Sequence, residues 1–189
     1  PGATNDVTIP SGATAVSVNV GASIRSLTLG RAVTIEGCNL LVISNGVTFS
    51  SASGILTTGP FGCESLRMTG SQSISGPGTI NCRAGSIHVV GGGTVISVGT
   101  GVTVGNDPSA SGSITLDAGT TLNNSGTLRG TAASRTLDVS GAATSAFNNI
   151  AGGVTEAVTG GTMSITTTPW TNAGTFNINA GTLRLGGSS

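Results

Sequence analysis

The chain has 189 residues, zero formal net charge, and only 7% charged and 3% aromatic residues. Its arginines (25, 31, 67, 83, 129, 135 and 184) are scattered and there is no lysine, so nothing steers it toward nucleic acid or an anionic membrane surface. The 32 glycines follow no three-residue period, which excludes collagen, and recurrent alternation of Val, Ile, Leu and Thr argues against disorder.

In chain order the first element is Val7-Thr8-Ile9, an apolar–polar–apolar triplet that as a strand turns two side chains inward and one outward. The triplet returns as Leu27-Thr28-Leu29, Val47-Thr48-Phe49, Leu66-Arg67-Met68 and Ile87-His88-Val89, with central residues 19 to 21 positions apart. Such a return is the mark of a coiled solenoid. A second strand per turn is read at Val16-Ser17-Val18, Val33-Thr34-Ile35, Ile55-Leu56, Ile74 and Ile96-Ser97-Val98. A third is read at Leu41-Val42-Ile43, Phe61, Ile80 and Val102-Thr103-Val104. Gly12, Gly21, Gly30, Gly37, Gly46, Gly54 and Gly62 fall at corners between strands, where tight bends favour glycine.

These readings predict an all-β, single-stranded parallel β-helix of about eight to nine rungs, with three short strands and about 20–25 residues per rung. A right-handed coil is expected, because the strict six-residue repeat usual in left-handed coils is absent. Residues 1–104 form the regular part of one domain. Residues 105–112, rich in turn formers, are expected to protrude as a loop, and 113–189 to form longer, less regular rungs. The weakest stretch is 141–160, whose sizeable apolar anchors are Phe147, Ile150, Val154 and Val158. Asp117-Ala-Gly-Thr120, Asn124-Ser-Gly-Thr127, Asn172-Ala-Gly-Thr175 and Asn179-Ala-Gly-Thr182 repeat one corner recipe: Asn or Asp caps, Gly turns, and Thr enters the next strand. Stacked copies would align Asn side chains into ladders.

The stretch from Trp170 to Gly187, with its tandem Asn-Ala-Gly-Thr units, resembles the repeats of large secreted β-solenoid surface proteins, the filamentous adhesins and autotransporter passenger domains. The segments from Asp6 to Thr14 and from Ile24 to Gly30 likewise resemble opening turns of extracellular β-helix domains. The resemblance implies secretion and a structural or adhesive role, and brings no catalytic residue.

Chemistry is sparse. The acids Asp6, Glu36, Glu64, Asp107, Asp117, Asp138 and Glu156 are at least ten residues apart, and sugar-stacking aromatics are few, so a polysaccharide-degrading β-helix enzyme is a distant alternative. His88 reads as a surface side chain one rung from Arg67. Thr8, Thr28 and Thr48 form an outward column and a candidate ice or ligand face, although threonine is also simply favoured in strands. Cys63 and Cys82 are the candidate disulfide, on adjacent rungs about 4.8 Å apart, with buried free thiols as the alternative and Cys38 left over. Asn123 opens a glycosylation sequon that reads equally well as a polar turn. No metal or cofactor is implied, and the longest apolar stretch, near Leu40–Ile43, is far short of a membrane span. No signal peptide opens the chain, so either a leader is removed or the chain is excised from a longer one. The expectation is a non-enzymatic extracellular structural protein: a rigid segment of a surface filament, sheath or adhesin. Its partners would be copies of itself or neighbouring solenoid segments, and the alternative is an ice- or glycan-binding module.

Overall fold

Burial alternates residue by residue along the strands, as the triplets require: Leu27 and Leu29 are buried and Thr28 between them is not. The computed structural model describes residues 4–12, 14–60 and 63–186. Phe61, Gly62 and Gly187, named above as strand, corner and repeat positions, lie outside the described residues.

The strands follow one another as rungs. The first rung is β1 (Asp6–Ile9), β2 (Val16–Val18) and β3 (Ala22–Ile24). The second is β4 (Ser26–Leu29), β5 (Ala32–Ile35) and β6 (Leu41–Ile43). The third is β7 (Val47–Phe49), β8 (Gly54–Thr57) and β9 (Glu64–Thr69), and the fourth is β10 (Gln72–Ser75), β11 (Gly78–Cys82) and β12 (Ser86–Val90). The fifth is β13 (Val95–Val98), β14 (Val102–Asn106) and β15 (Gly112–Leu116), and the sixth is β16 (Thr121–Asn124), β17 (Thr127–Gly130) and β18 (Thr136–Gly141). The seventh is β19 (Ala146–Asn149), β20 (Val154–Val158) and β21 (Thr162–Ile165). The eighth is β22 (Trp170–Asn172), β23 (Thr175–Asn179) and β24 (Thr182–Leu185).

First strands pair with first strands, second with second and third with third, giving three eight-stranded sheets, here sheets 1, 2 and 3. The pairing is parallel between successive rungs, for example Val7 beside Leu27 and Leu27 beside Val47. The chain is thus an all-β solenoid of three strands per rung and eight rungs, with no helix among the described residues.

The register corrects the expected columns. Thr8, Thr28 and Thr48 are aligned in sheet 1, but Leu66-Arg67-Met68 lies in β9 and Ile87-His88-Val89 in β12, both in sheet 3. The true neighbour of Thr48 is Ser75, 27 residues on, because the third rung has a long corner before β9. Ile74 and Ile96–Val98 therefore belong to sheet 1 rather than to a second column, and Ile80 and Val102–Val104 to sheet 2 rather than to a third. The triplet looks the same in all three sheets, so it marks a strand without saying which one. The expected protruding loop at 105–112 is also smaller. Gly105 and Asn106 finish β14 and Gly112 begins β15, leaving a corner of 107–111. Asn106 is buried there: its amide donates to Thr131 O at 2.7 Å and its carbonyl accepts from Thr131 N at 2.7 Å.

One apolar cluster runs through the coil from Ile24 to Ile165. Phe49 and Phe147 are its largest fully buried side chains. Room for Phe49 comes from the neighbouring sheet: Gly54 and Gly78 are paired in register, and a methyl on Gly54 would lie 2.7 Å from Phe49 Cδ1. In 141–160 the interior turns polar, with Ser145, Asn149 and Thr155 fully buried beside Phe147 and Ala157.

Candidate functional site

Four features of the surface and corners carry the chemistry. The first is the threonine column. Thr8, Thr28 and Thr48 face outward from sheet 1 and continue into Ser75, whose hydroxyl lies 3.3 Å from that of Thr48. Sheet 2 holds a second column, Thr79, Thr103 and Thr127, aligned on β11, β14 and β17. Sequence reasoning misses it because the triplet pattern does not say which sheet Thr79, Thr103 and Thr127 share.

The second feature is a pair of asparagine ladders, adjacent in sequence and opposite in direction. Inward, Asn124 Nδ2 donates to Asn149 Oδ1 at 2.8 Å, and Asn149 Nδ2 donates to Asn172 Oδ1 at 2.7 Å. Asn124 and Asn149 are fully buried, and their amides also donate to Val154 O and Thr175 O, at the starts of β20 and β23. The ladder thus satisfies backbone groups that a dry corner would leave unpaired. Outward, Asn148 Nδ2 donates to Asn123 Oδ1 at 3.0 Å, and Thr171 Oγ1 donates to Asn148 Oδ1 at 2.8 Å. The Asn-x-Gly-Thr corners point to this device only in part. Asn124 and Asn172 share a column, but Asp117 follows sheet 3 and Asn179 ends β23 in sheet 2. The intervening rung supplies Asn149, which opens a corner of different sequence, Ile150-Ala-Gly-Gly153. Asn123, the sequon residue, is half-buried on β16 and accepts from Asn148.

The third feature is a charged cluster on the outer face of sheet 3. β9 presents Glu64 and Arg67, β12 presents His88, and the corner after β15 presents Asp117. Arg67 Nε and Nη2 each donate to a Glu64 carboxylate oxygen at 2.6 Å. That guanidinium is the main reason the Glu64 carboxyl is held below its ordinary range; His88 assists and burial opposes. His88 Nδ1 lies 3.3 Å from Glu64 Oε1, and Nε2 lies 2.8 Å from Asp117 Oδ1. His88 does pair in register with Arg67, as the sequence suggests, but it is half-buried between two carboxylates rather than a free surface residue. Glu64 and Asp117 come from the rungs on either side of His88, and only the strand register shows that both reach its ring. Among the described residues, no group of three or more His, Cys, Asp or Glu side chains is arranged to hold a metal ion.

The fourth feature is the cysteines, and here the expected pairing is wrong. Cys38 bonds Cys63, with Cα atoms 5.3 Å apart, joining the corners that precede β6 and β9 on successive rungs. Cys82 is free. It ends β11 with its side chain buried in the core, where desolvation pushes its thiol up to about 12. The strand's alternation turns Cys82 inward, so it cannot reach a corner cysteine.

Elsewhere the ends of the coil differ from its middle. In the first rung Asp6 accepts from Arg25 and Ser26, and chiefly the Arg25 guanidinium holds the Asp6 carboxyl well below the usual carboxylate range. In the eighth rung two inward positions are open, Ile178 at 58% and Leu185 at 43% exposed, while Phe176 and Leu183 pack against the core. Trp170 and Phe176 meet there as a tilted pair, with ring centroids 5.9 Å and planes 50° apart. Comparison with protein-family models, with curated proteins and with solved structures gave no match to this chain.

Proposed function

We propose that the chain is a non-enzymatic, extracellular structural segment: a rigid stretch of β-solenoid in a surface filament, sheath or adhesin. The observation that carries this reading is the coil itself, three eight-stranded parallel sheets wound around one apolar cluster. Among the described residues the strands of its eighth rung pair on one side only, and the inward side chains Ile178 and Leu185 are exposed there. An ordered apolar edge of this kind is what a further solenoid rung covers, whether from a neighbouring segment or from a second copy. The Cys38–Cys63 bond fits an oxidising, extracellular setting. The rigidity would come from inter-rung hydrogen bonding, the aliphatic core and the buried Asn ladder, with no chemical step.

Electron microscopy and sedimentation of the purified chain test the reading. Rods that lengthen along the coil axis with concentration, and that shorten to single units in Ile178→Lys, support it. A monodisperse particle indifferent to that substitution would count against assembly through this edge.

A second reading, an ice- or glycan-binding module, is favoured by the aligned columns Thr8–Thr28–Thr48 and Thr79–Thr103–Thr127. Thermal hysteresis abolished by Thr103→Lys, or glycan-array binding with the same sensitivity, would support it over the structural role.

A further inference from the structure

The cluster on sheet 3 has a property that none of its members shows alone. His88 is the chain's single histidine, and each of its ring nitrogens faces a carboxylate oxygen. An ionised carboxylate only accepts hydrogen bonds, and a neutral imidazole donates from one nitrogen only. Both contacts are therefore hydrogen bonds only when His88 carries both protons.

We infer that Glu64, His88 and Asp117 form a proton-operated clasp that ties the third, fourth and fifth rungs together across the outside of sheet 3. Closed, the clasp holds two carboxylates, the imidazolium and the Arg67 guanidinium, and its charges balance. The charged groups facing His88 are Glu64 and Arg67 from β9 and Asp117 from the corner after β15; β15 itself sets the uncharged Thr115 beside it. Loss of the ring proton leaves one nitrogen with a lone pair against a carboxylate. The Nδ1 side opens: that contact is the longer one, and Glu64 keeps its two bonds from Arg67. The tie between the third and fourth rungs is then released while Nε2 stays with Asp117. Glu64 follows Cys63 directly, so the clasp continues a line begun by the disulfide. One side of the coil is thus strapped from the second rung to the fifth, covalently at one end and by protonation at the other.

The test compares the thermal unfolding of the wild-type chain and of His88→Gln from about pH 5 to about pH 8, the range in which histidine ordinarily titrates. The expected result is a wild-type advantage of about 2–4 °C at the acid end that shrinks as the imidazole deprotonates. A difference that is the same at every pH would overturn the inference. Nitrogen NMR of the wild-type imidazole gives an independent reading that needs no variant. Two protonated ring nitrogens at the acid end, followed by an Nε2–H tautomer, are expected. A single protonated nitrogen throughout, or an Nδ1–H tautomer after titration, would overturn it.

Discussion

Gly78 forms the floor under the ring of Phe49: a methyl group on Gly78 would overlap Cβ, Cγ and Cδ1 of the phenylalanine. The overlap involves the root of the ring rather than its tip, so a rotamer change cannot relieve it. Gly78→Ala should therefore cost about 2–3 kcal/mol, the upper range for overpacking. The same substitution added to Phe49→Ala should cost less, because Cγ and Cδ1 are gone and only Cβ remains. A denaturant double-mutant cycle checks this, and additive costs would show that the two positions do not oppose each other.

Asn149 sits midway in the buried ladder and donates to Asn172 Oδ1, to Thr175 O and to Gly153 O. Asn149→Asp would aim a carboxylate at three acceptors with no water to help. The expected loss is about 3 kcal/mol or more at neutral pH. An acid destabilised in this way has a raised folded-state pKa, so stability should return as pH falls through that value. Equilibrium unfolding of the variant at neutral and acid pH measures both effects.

Thr155 takes an inward place between Leu128 and Phe176 in sheet 2, and its hydroxyl is buried without a hydrogen-bond partner. Valine has the same shape and no hydroxyl. Thr155→Val should stabilise the chain by about 1 kcal/mol, seen as a later denaturation midpoint with an unchanged slope. No gain would mean that the hydroxyl finds a partner in solution.

Glu64 is held below the ordinary carboxylate range, first by Arg67 and then by His88. A depressed folded-state pKa contributes stability above the unfolded-state value of about 4.3, and that contribution is lost as pH falls through the folded value. Wild type should therefore exceed Glu64→Gln by about 1 kcal/mol at neutral pH and converge with it in acid. A gap that persists in strong acid would assign the effect to packing rather than charge.

Much of the architecture is legible in the sequence because alternation is a local property. Val7-Thr8-Ile9 and Leu27-Thr28-Leu29 announce two inward side chains and one outward one, and the strands obey. Register is not local. After Phe49 the expected column passes from sheet 1 to sheet 3, because Leu66-Arg67-Met68 recurs at nearly the right distance for the wrong reason. A short strand also escapes notice: β3 offers one large apolar residue, Ile24, between Ser23 and Arg25. Its omission let the twenty-residue spacing pass for a constant period. The same limit hid the charged cluster and the second threonine column, since both depend on which residues stack. The ladder was half visible: Asn124 and Asn172 stand in recognisable corners, whereas Asn149 is identified by position alone.

The bond between Cys38 and Cys63 also limits how far the chain can be stretched. Pulled from its two ends, a solenoid uncoils rung by rung, each rung adding its contour to the extended chain. The two cysteines are 25 positions apart, and the segment between them stays closed under loads that break only hydrogen bonds and packing. Roughly 80–90 Å of contour, at about 3.3–3.6 Å per residue, is withheld until a reductant opens the loop. The coil therefore has two extensibilities, a shorter one in oxidising surroundings and a longer one after reduction.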